Sequence, residues 1–365
     1  MKIGVDCHAL GKTKTGVARY LANLLKYWEK QNDTEFILYS MENVKNPFNV
    51  NSTALYYNFS LPSRAKRDRV DILFLPFYMR PLFCKVETAV AVHDISYLIH
   101  PEWFDFYHRI IYRTLGKRAI KKSKFIFVPS EYTKQEILKY FRNKINATKI
   151  HVVYLASDER FNDLKDQNKI QEVKQKYKLK DKYFLYVASI FNRRHVLEMI
   201  RAFESVLMNS PELSQIQFLI SGKNLTNPFQ DIDAEIERIN KKFNNSIIQI
   251  DHLDENNLVN LYQGAEMFLY LSEYEGFGLP PLEAMACGTP VLTTKMTSLR
   301  EVLGNYPIAV NDPGNVDEIK EKIIKVLSDA RLRQEMIDKG LERVKSFSWQ
   351  KTAEQTYDVL QGSEK

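Results

Sequence analysis

Residues 272–290 read Ser-Glu-Tyr-Glu-Gly-Phe-Gly-Leu-Pro-Pro-Leu-Glu-Ala-Met-Ala-Cys-Gly-Thr-Pro, and this stretch decides the fold. The run before it, 267–272 (Met-Phe-Leu-Tyr-Leu-Ser), is short, apolar and aromatic, the pattern of a buried strand. Pro280 and Pro281 lack backbone N–H groups and suit a first helical turn, while Gly288 suits the position just past a helix end. The segment is therefore expected to run strand, glycine turn, helix. Such a junction aims unpaired backbone donors at one point, where an anion such as a diphosphate is held. Glu275 falls on the turn and Glu283 in the first turns of the helix, where sugar and ribose hydroxyls would meet them.

Working outward, short apolar runs recur at 3–5, 36–39, 72–75, 89–92, 125–128 and 151–154, with helix-like stretches at 17–28, 106–121 and 132–141 among them. The pattern resumes with strands at 184–188, 218–221, 247–251 and 267–272, separated by helices near 196–208, 231–243 and 258–263. Alternating strand and helix means parallel sheets covered on both faces. Two such series predict an α/β protein of two doubly wound, Rossmann-like domains facing across a cleft. The boundary is expected after Ala156, where a polar stretch begins, giving domains 1–156 and 157–347. A last amphipathic helix carries Trp349, Ala353, Tyr357 and Leu360 at helical spacing.

With 365 residues, 44% of them hydrophobic and 27% charged, the chain has the material for two cores. Cys7, Cys84 and Cys287 are odd in number and far apart, offering neither a disulfide framework nor paired zinc-ligand spacing, which fits a reducing compartment. The first residues enter a strand without the pattern of a signal peptide, and no apolar run approaches the ~20 residues of a membrane span. The net charge of +7 is uneven: residues 1–156 hold 25 Lys and Arg against 13 Asp and Glu, the rest 27 against 32. A basic first half fits nucleic acid or an anionic membrane surface.

Other chemistry-bearing residues fall at predicted strand ends. Thr15-Gly16-Val-Ala-Arg19-Tyr20 follows the first strand, and Gly16 would admit a ligand close to the backbone. Nearby Gly11-Lys12-Thr13 is no P-loop, because Asp6 stands where that motif needs glycine. His93, in Val92-His93-Asp94, ends another strand, where ligands of open α/β sheets bind. Asn192-Arg193-Arg194-His195 follows the strand at 184–188 and supplies two cations, while Ser221, Gly222 and Lys223 follow the next strand. No Asp-x-Asp pair in a credible setting and no His/Cys cluster is present, so neither a metal nor another cofactor is implied.

Taken together these segments resemble the retaining family 4 glycosyltransferases, also called glycosyltransferases group 1. The run E-G-F-G-L-P-P-L-E-A-M-A-C-G-T-P-V is similar to that family's Glu-x7-Glu motif, and A-V-H-D-I-S-Y-L-I-H-P-E-W-F to its His-Asp segment. Y-V-A-S-I-F-N-R-R-H resembles Y-V-G-x-[IL]-x-x-R-K-N, with Arg194 for Lys and His195 for Asn, and Thr297-Ser298-Leu299-Arg300-Glu301-Val302 resembles S-S-L-P-E-V. The resemblance implies the GT-B fold: an acceptor-binding domain 1–156, to which residues 348–365 cross back, and a nucleotide-sugar-binding domain 157–347. It implies catalytic roles for His93 and Glu275 on the transferring sugar and for Arg193 and Arg194 on the departing diphosphate. Donor contacts fall to Gly16, Ser221, Gly222, Lys223, Gly276, Phe277, Gly278, Leu279, Ser298 and Leu299, with Glu283 on the ribose.

The expected activity is metal-independent, retaining transfer from a nucleotide diphosphate sugar to a glycan or lipid-linked acceptor in cell-surface polysaccharide assembly, at the cytoplasmic side of a membrane. GDP-mannose is the first choice of donor. UDP-glucose, UDP-N-acetylhexosamine, GDP-fucose and dTDP-rhamnose stay open, because Asp251-His252 departs from the family's usual pair near the base. A same-fold transferase acting on a soluble acceptor stays open as well. A nucleic-acid-binding protein is the competing class, without a recognisable binding motif. A phosphorylase would need a lysine-bound pyridoxal group that nothing here supports. The stretch 103–122 mixes aromatics with six Lys and Arg and reads either as a peripheral membrane contact or as a helix packed by Ile110, Ile111 and Leu115.

Overall fold

The computed structural model describes residues 1–11, 16–41, 53–210, 213 and 215–362. Thr15, Lys12 and Thr13 of the first-strand turn lie outside them. The chain forms two compact units, Met1–Leu155 with Ser348–Lys365, and Ala156–Phe347.

The first unit is built on six parallel strands: β1 (Lys2–Asp6), β2 (Glu35–Tyr39), β3 (Ile72–Leu75), β4 (Glu87–Ala91), β5 (Phe125–Val128) and β6 (Ile150–Val152). Their order is β2-β1-β3-β4-β5-β6. β3 is buried throughout and β4 almost throughout, which is why they read as unbroken apolar runs and not as alternation. Helix Gly16–Trp28 buries Ala18, Tyr20, Leu21, Leu24 and Trp28 on one side. The final helix, Trp349–Gln361, packs along it, and the Trp28 indole N–H donates to Ala353 O at 3.0 Å. Thr352 Oγ1 donates to Tyr154 O at 2.6 Å, fixing the returning chain to the end of the first unit's sheet.

The second unit holds five parallel strands: β7 (Lys182–Val187), β8 (Ile216–Ser221), β9 (Ile247–Ile250), β10 (Met267–Tyr270) and β11 (Val291–Thr293). Their order is β11-β10-β7-β8-β9. β7 and β10 are neighbours in the sheet although two strands separate them in sequence, so the winding reverses between them. That reversal leaves a crevice at their carboxyl ends. β11 and the helices Gln167–Lys176, Val316–Ser328 and Ala330–Val344 are elements that the periodicity reading did not assign. Thr297, read as part of a turn, opens a helix, Thr297–Leu303.

Candidate active site

The crevice of the second unit is lined by the segments that follow β7 and β10. After β7 the chain makes one tight turn, Asn192–Arg194, and enters helix Val196–Asn209 through His195. After β10 it runs through 272–278 into helix Leu279–Ala286, whose first turn holds Pro280 and Pro281. Gly278 has φ 105°, and a Cβ there would stand 2.4 Å from Leu299 Cδ2, so glycine is needed for both conformation and space. Gly288, at φ 68°, follows the helix end as expected.

The two segments are pinned together by a charged pair. Arg194 Nε donates to Glu275 Oε1 at 2.9 Å, and its Nη1 donates to Ser189 O at 2.9 Å. The same carboxylate oxygen accepts from Tyr270 O–H at 2.7 Å and Ser272 Oγ–H at 3.0 Å. Both charged side chains are largely buried, with 13% and 14% exposed. Burial pushes the Glu275 carboxyl up, but the charges of Arg194 and then Arg193 pull it down further, so it remains ionised below the ordinary carboxylate range. Arg193 lies over the Phe191 ring at 4.3 Å. Two cations and one fixed carboxylate thus stand where the sheet's winding reverses.

The backbone of the β10 loop is held from below. Glu275 N–H donates to Thr297 Oγ1 at 3.2 Å, and Ser298 Oγ donates to Glu275 O at 2.7 Å and Phe277 O at 3.3 Å. Thr297 itself has φ 49°. Ser298 and Leu299 therefore act on the 276–279 turn by supporting it. The Phe277 ring is buried edge-on against Phe347, with centroids 5.5 Å apart. Glu283 is 4% exposed, with the Tyr262 hydroxyl 3.5 Å from its Oε2. Ser221 ends β8, and Gly222, at φ 151°, lies so close to β7 that a Cβ would fall 1.8 Å from Ala188 O. Lys223 O accepts the N–H of Ile190, which places Lys223 beside the segment leading to Arg193.

In the first unit the strand order β1-β3-β4 sets the ends of these strands side by side. His93, two residues beyond β4, has Nε2 3.0 Å from Pro76 O, just past β3. A carbonyl only accepts, so Nε2 carries the proton and Nδ1 of the neutral ring is an acceptor. Burial lowers the His93 pKa, keeping the ring neutral near pH ~7. Tyr20 meets it edge-on, with centroids 5.0 Å apart. A Cβ at Gly16 would meet no described atom within 4 Å, so no described neighbour requires glycine there.

Several residues at these positions escaped the sequence reading. Tyr270 and Ser272 were counted as strand, Thr297 as turn, yet they hold Glu275; the signal was polar atoms at the end of an otherwise apolar strand. Asp6, used only to reject a P-loop, is 6% exposed at the end of β1, accepting from His8 N–H at 3.2 Å and Tyr56 O–H at 3.3 Å. Burial raises its pKa to about 6. Among the described residues no group of His, Cys, Asp and Glu is placed to hold a metal ion.

The architecture is that of GT-B glycosyltransferases, two doubly wound parallel-sheet units. WaaG, a glycosyltransferase involved in lipopolysaccharide biosynthesis, superposes with a TM-score of 0.74 at 15% identity over 99% of this chain and 100% of that one. Residues 167–343, within the second unit, match the family of glycosyl transferases group 1. The O-antigen chain mannosyltransferase B of Escherichia coli is 30% identical over 283 residues, 75% of this chain and 70% of that protein. The chain belongs to the group 1 glycosyltransferase family. It also matches the serotype-specific mannosyltransferase WbdA of Escherichia coli at 30% identity over 73% of its length, but spans only 32% of that longer protein.

Proposed function

We propose that the protein transfers a sugar, with retention of anomeric configuration, from a nucleotide diphosphate sugar to a hydroxyl of a glycan or lipid-linked acceptor during cell-surface polysaccharide assembly. The observation that carries this reading is the meeting of Arg193, Arg194 and the glycine turn with Glu275 where the second sheet reverses. The second unit takes the donor. The cations and the backbone N–H groups of the 276–279 turn receive the diphosphate, whose departure they favour by offsetting the charge it gains. Glu283 takes the ribose, and Glu275, held rigid and ionised, accepts from sugar hydroxyls. His93 in the first unit offers Nδ1 to a hydroxyl of the transferred sugar, and the first unit takes the acceptor. No metal is required in this scheme, because fixed cations neutralise the leaving group.

GDP-mannose is the preferred donor, supported by the mannosyltransferases among the relatives. Thermal-shift and nucleotide-release assays across GDP-mannose, GDP-fucose, UDP-glucose, UDP-N-acetylhexosamine and dTDP-rhamnose test this. A ligand at 100 times its Kd stabilises by about 2.7 kcal/mol, well within reach of the method. GDP-mannose is expected to give the largest shift, and the product linkage should be the α-anomer. No stabilisation by any of the five, or a product of inverted configuration, would overturn the reading. Nucleic-acid mobility shifts are expected to show no specific complex.

The acceptor side adds a membrane. Among the described residues no helix is long and apolar enough to cross one. Peripheral attachment at the cytoplasmic face is supported by Phe106, Tyr107 and Ile110, exposed by 75%, 68% and 51% on a helix with six Lys and Arg and no acid. Ile111 and Leu115 are half-buried, so the helix packs by these and leaves Ile110 out. Phe59 and Phe83, both exposed, pair at 4.9 Å, and Arg118 in the later half of the same helix donates to Leu82 O at 2.7 Å, next to Phe83.

A further inference from the structure

His195 joins the Arg193–Arg194 turn to its helix with a left-handed backbone, φ 49° and ψ 38°. Outside glycine, Asn, Asp and His tolerate that conformation best. This accounts for both the Asn of the resembled pattern and the His found here, but only the His brings a proton. Its ring is 14% exposed and stands between two carboxylates. Nδ1 is 3.6 Å from Glu198 Oε2 on its own helix, and Nε2 is 2.8 Å from Glu273 Oε1 on the loop after β10. The N–H of Glu273 in turn donates to Arg193 O at 2.9 Å. His195 to Glu273, Glu273 to Arg193, and Arg194 to Glu275 are thus three successive ties between the β7 turn and the β10 loop.

We infer that His195 is a positioning residue whose imidazole, set between Glu198 and Glu273, clamps the β10 loop to the β7 turn and so holds Arg194 in register with Glu275. It touches neither donor nor acceptor in this scheme; it acts through the arginines. Its consequence for catalysis rests on the donor-site reading above, whereas the clamp itself does not. The charges around the ring are Glu198 on its helix, with Arg201 one turn on, Glu273 and Glu275 on the β10 loop, and Arg193 and Arg194 before it. Burial opposes the imidazole's charge, but the neighbouring carboxylates of Glu198 and Glu273 more than offset it, raising its pKa above 6.5. The sign follows: the clamp is complete below pH 6.5 and is lost as pH rises through the raised folded value. A neutral ring carries no charge to attract either carboxylate, so both ion pairs weaken together.

The test is a pH titration by NMR of the full-length, ligand-free protein, following the His195 ring and the Arg194 Nε–H signal in wild type and His195→Asn. Asn keeps the left-handed backbone, so the variant is expected to fold, which its melting curve checks. In wild type the Arg194 signal should shift or broaden in step with His195, whose midpoint lies above 6.5. In His195→Asn it should follow a flat course over the same range. An Arg194 signal that ignores the His195 titration, or that behaves alike in both proteins, would overturn the clamp. With GDP-mannose as probe, wild type should lose donor affinity through KM, more than turnover, on that alkaline limb, and His195→Asn should lack the limb. Failure of GDP-mannose to bind at any pH would count against the donor reading alone, since the Arg194 signal decides the clamp without it.

Discussion

At the scale of single residues, Glu275 is the position where structure and proposed chemistry meet. Removing one member of a buried ion pair leaves the other charge uncompensated, at a cost of several kcal/mol. Glu275→Gln and Arg194→Gln should each destabilise the protein by about 2–4 kcal/mol, and the double variant by clearly less than the sum. Urea unfolding of the four proteins measures this; additive losses would show that the pair is not coupled. Because the folded pKa of Glu275 is lowered from 4.5, its contribution is present above that pH and lost as pH falls through the folded value. Asp6 runs the other way. Its carboxyl is raised from 3.8 to about 6, so burying the charge costs stability increasingly as pH rises across that interval and fully above it. Asp6→Asn should therefore gain on wild type by about 1–3 kcal/mol between acid and neutral pH, a difference read from urea midpoints at each pH. A flat difference would show that Asp6 is not a strained, charged group.

At the scale of elements, the helix Phe106–Lys122 is notable for what it leaves outside. Lys117 and Lys121 lie over the Tyr140 and Phe141 rings at 5.2 and 5.9 Å, so part of its basic face is engaged by the fold. Its first turn, capped by Asp105, exposes Phe106 and Tyr107, the Tyr107 ring meeting His108 edge-on at 5.8 Å. Co-sedimentation with liposomes should grow with anionic lipid and fade with salt, each basic residue near the surface being worth ~1 kcal/mol. Phe59→Ala, Phe83→Ala and Phe106→Ala together should weaken binding at any salt, and Lys117, Lys121 and Lys122 changed to Glu should abolish its lipid-charge dependence. A protein that stays in the supernatant at low salt with anionic vesicles would end the membrane proposal. Elements of this kind were legible because their periodicity is strong. The 3.6-residue pattern of 17–28 and 349–360 and the apolar runs of β7, β8 and β10 recur in the structure within a residue or two. β11 was missed because three residues cannot establish a period, and Val316–Ser328 and Ala330–Val344 because no motif directed attention to them.

At the scale of the whole molecule, the chain completes its first unit only with its last residues. Trp349, Ala353, Val359 and Leu360 are buried there, and the Trp28 indole bonds to that helix. Burying a side chain such as Val359 or Leu360 is worth about 1.5–3 kcal/mol, so losing the helix removes a large part of a domain's stability of about 5–15 kcal/mol. Deleting 348–365 should unfold the first unit and leave the second, whose core is made wholly from within Ala156–Phe347, able to bind a nucleotide sugar. Loss of the lower calorimetric transition with the donor-stabilised one retained is the expected result; loss of both would show that the second unit depends on the first.

By itself the sequence determined the class of fold, the two series of parallel strands, and the places where chemistry is concentrated. Those properties follow from local causes: apolar runs make buried parallel strands, proline and glycine mark helix ends, and ligands of open α/β sheets bind just beyond strand ends. What only the tertiary structure decided is which groups act on one another. Eighty-one positions separate Arg194 from Glu275, and nothing in either segment foretells that β7 and β10 lie side by side. The adjacency comes from the sheet's strand order, which is set by the packing of the whole unit. The same holds for Tyr270 and Ser272 as supports of the carboxylate, for the burial that raises Asp6, and for His195 between two glutamates. A side chain's type is written in the chain, but its protonation, rigidity and partner depend on neighbours that folding alone supplies.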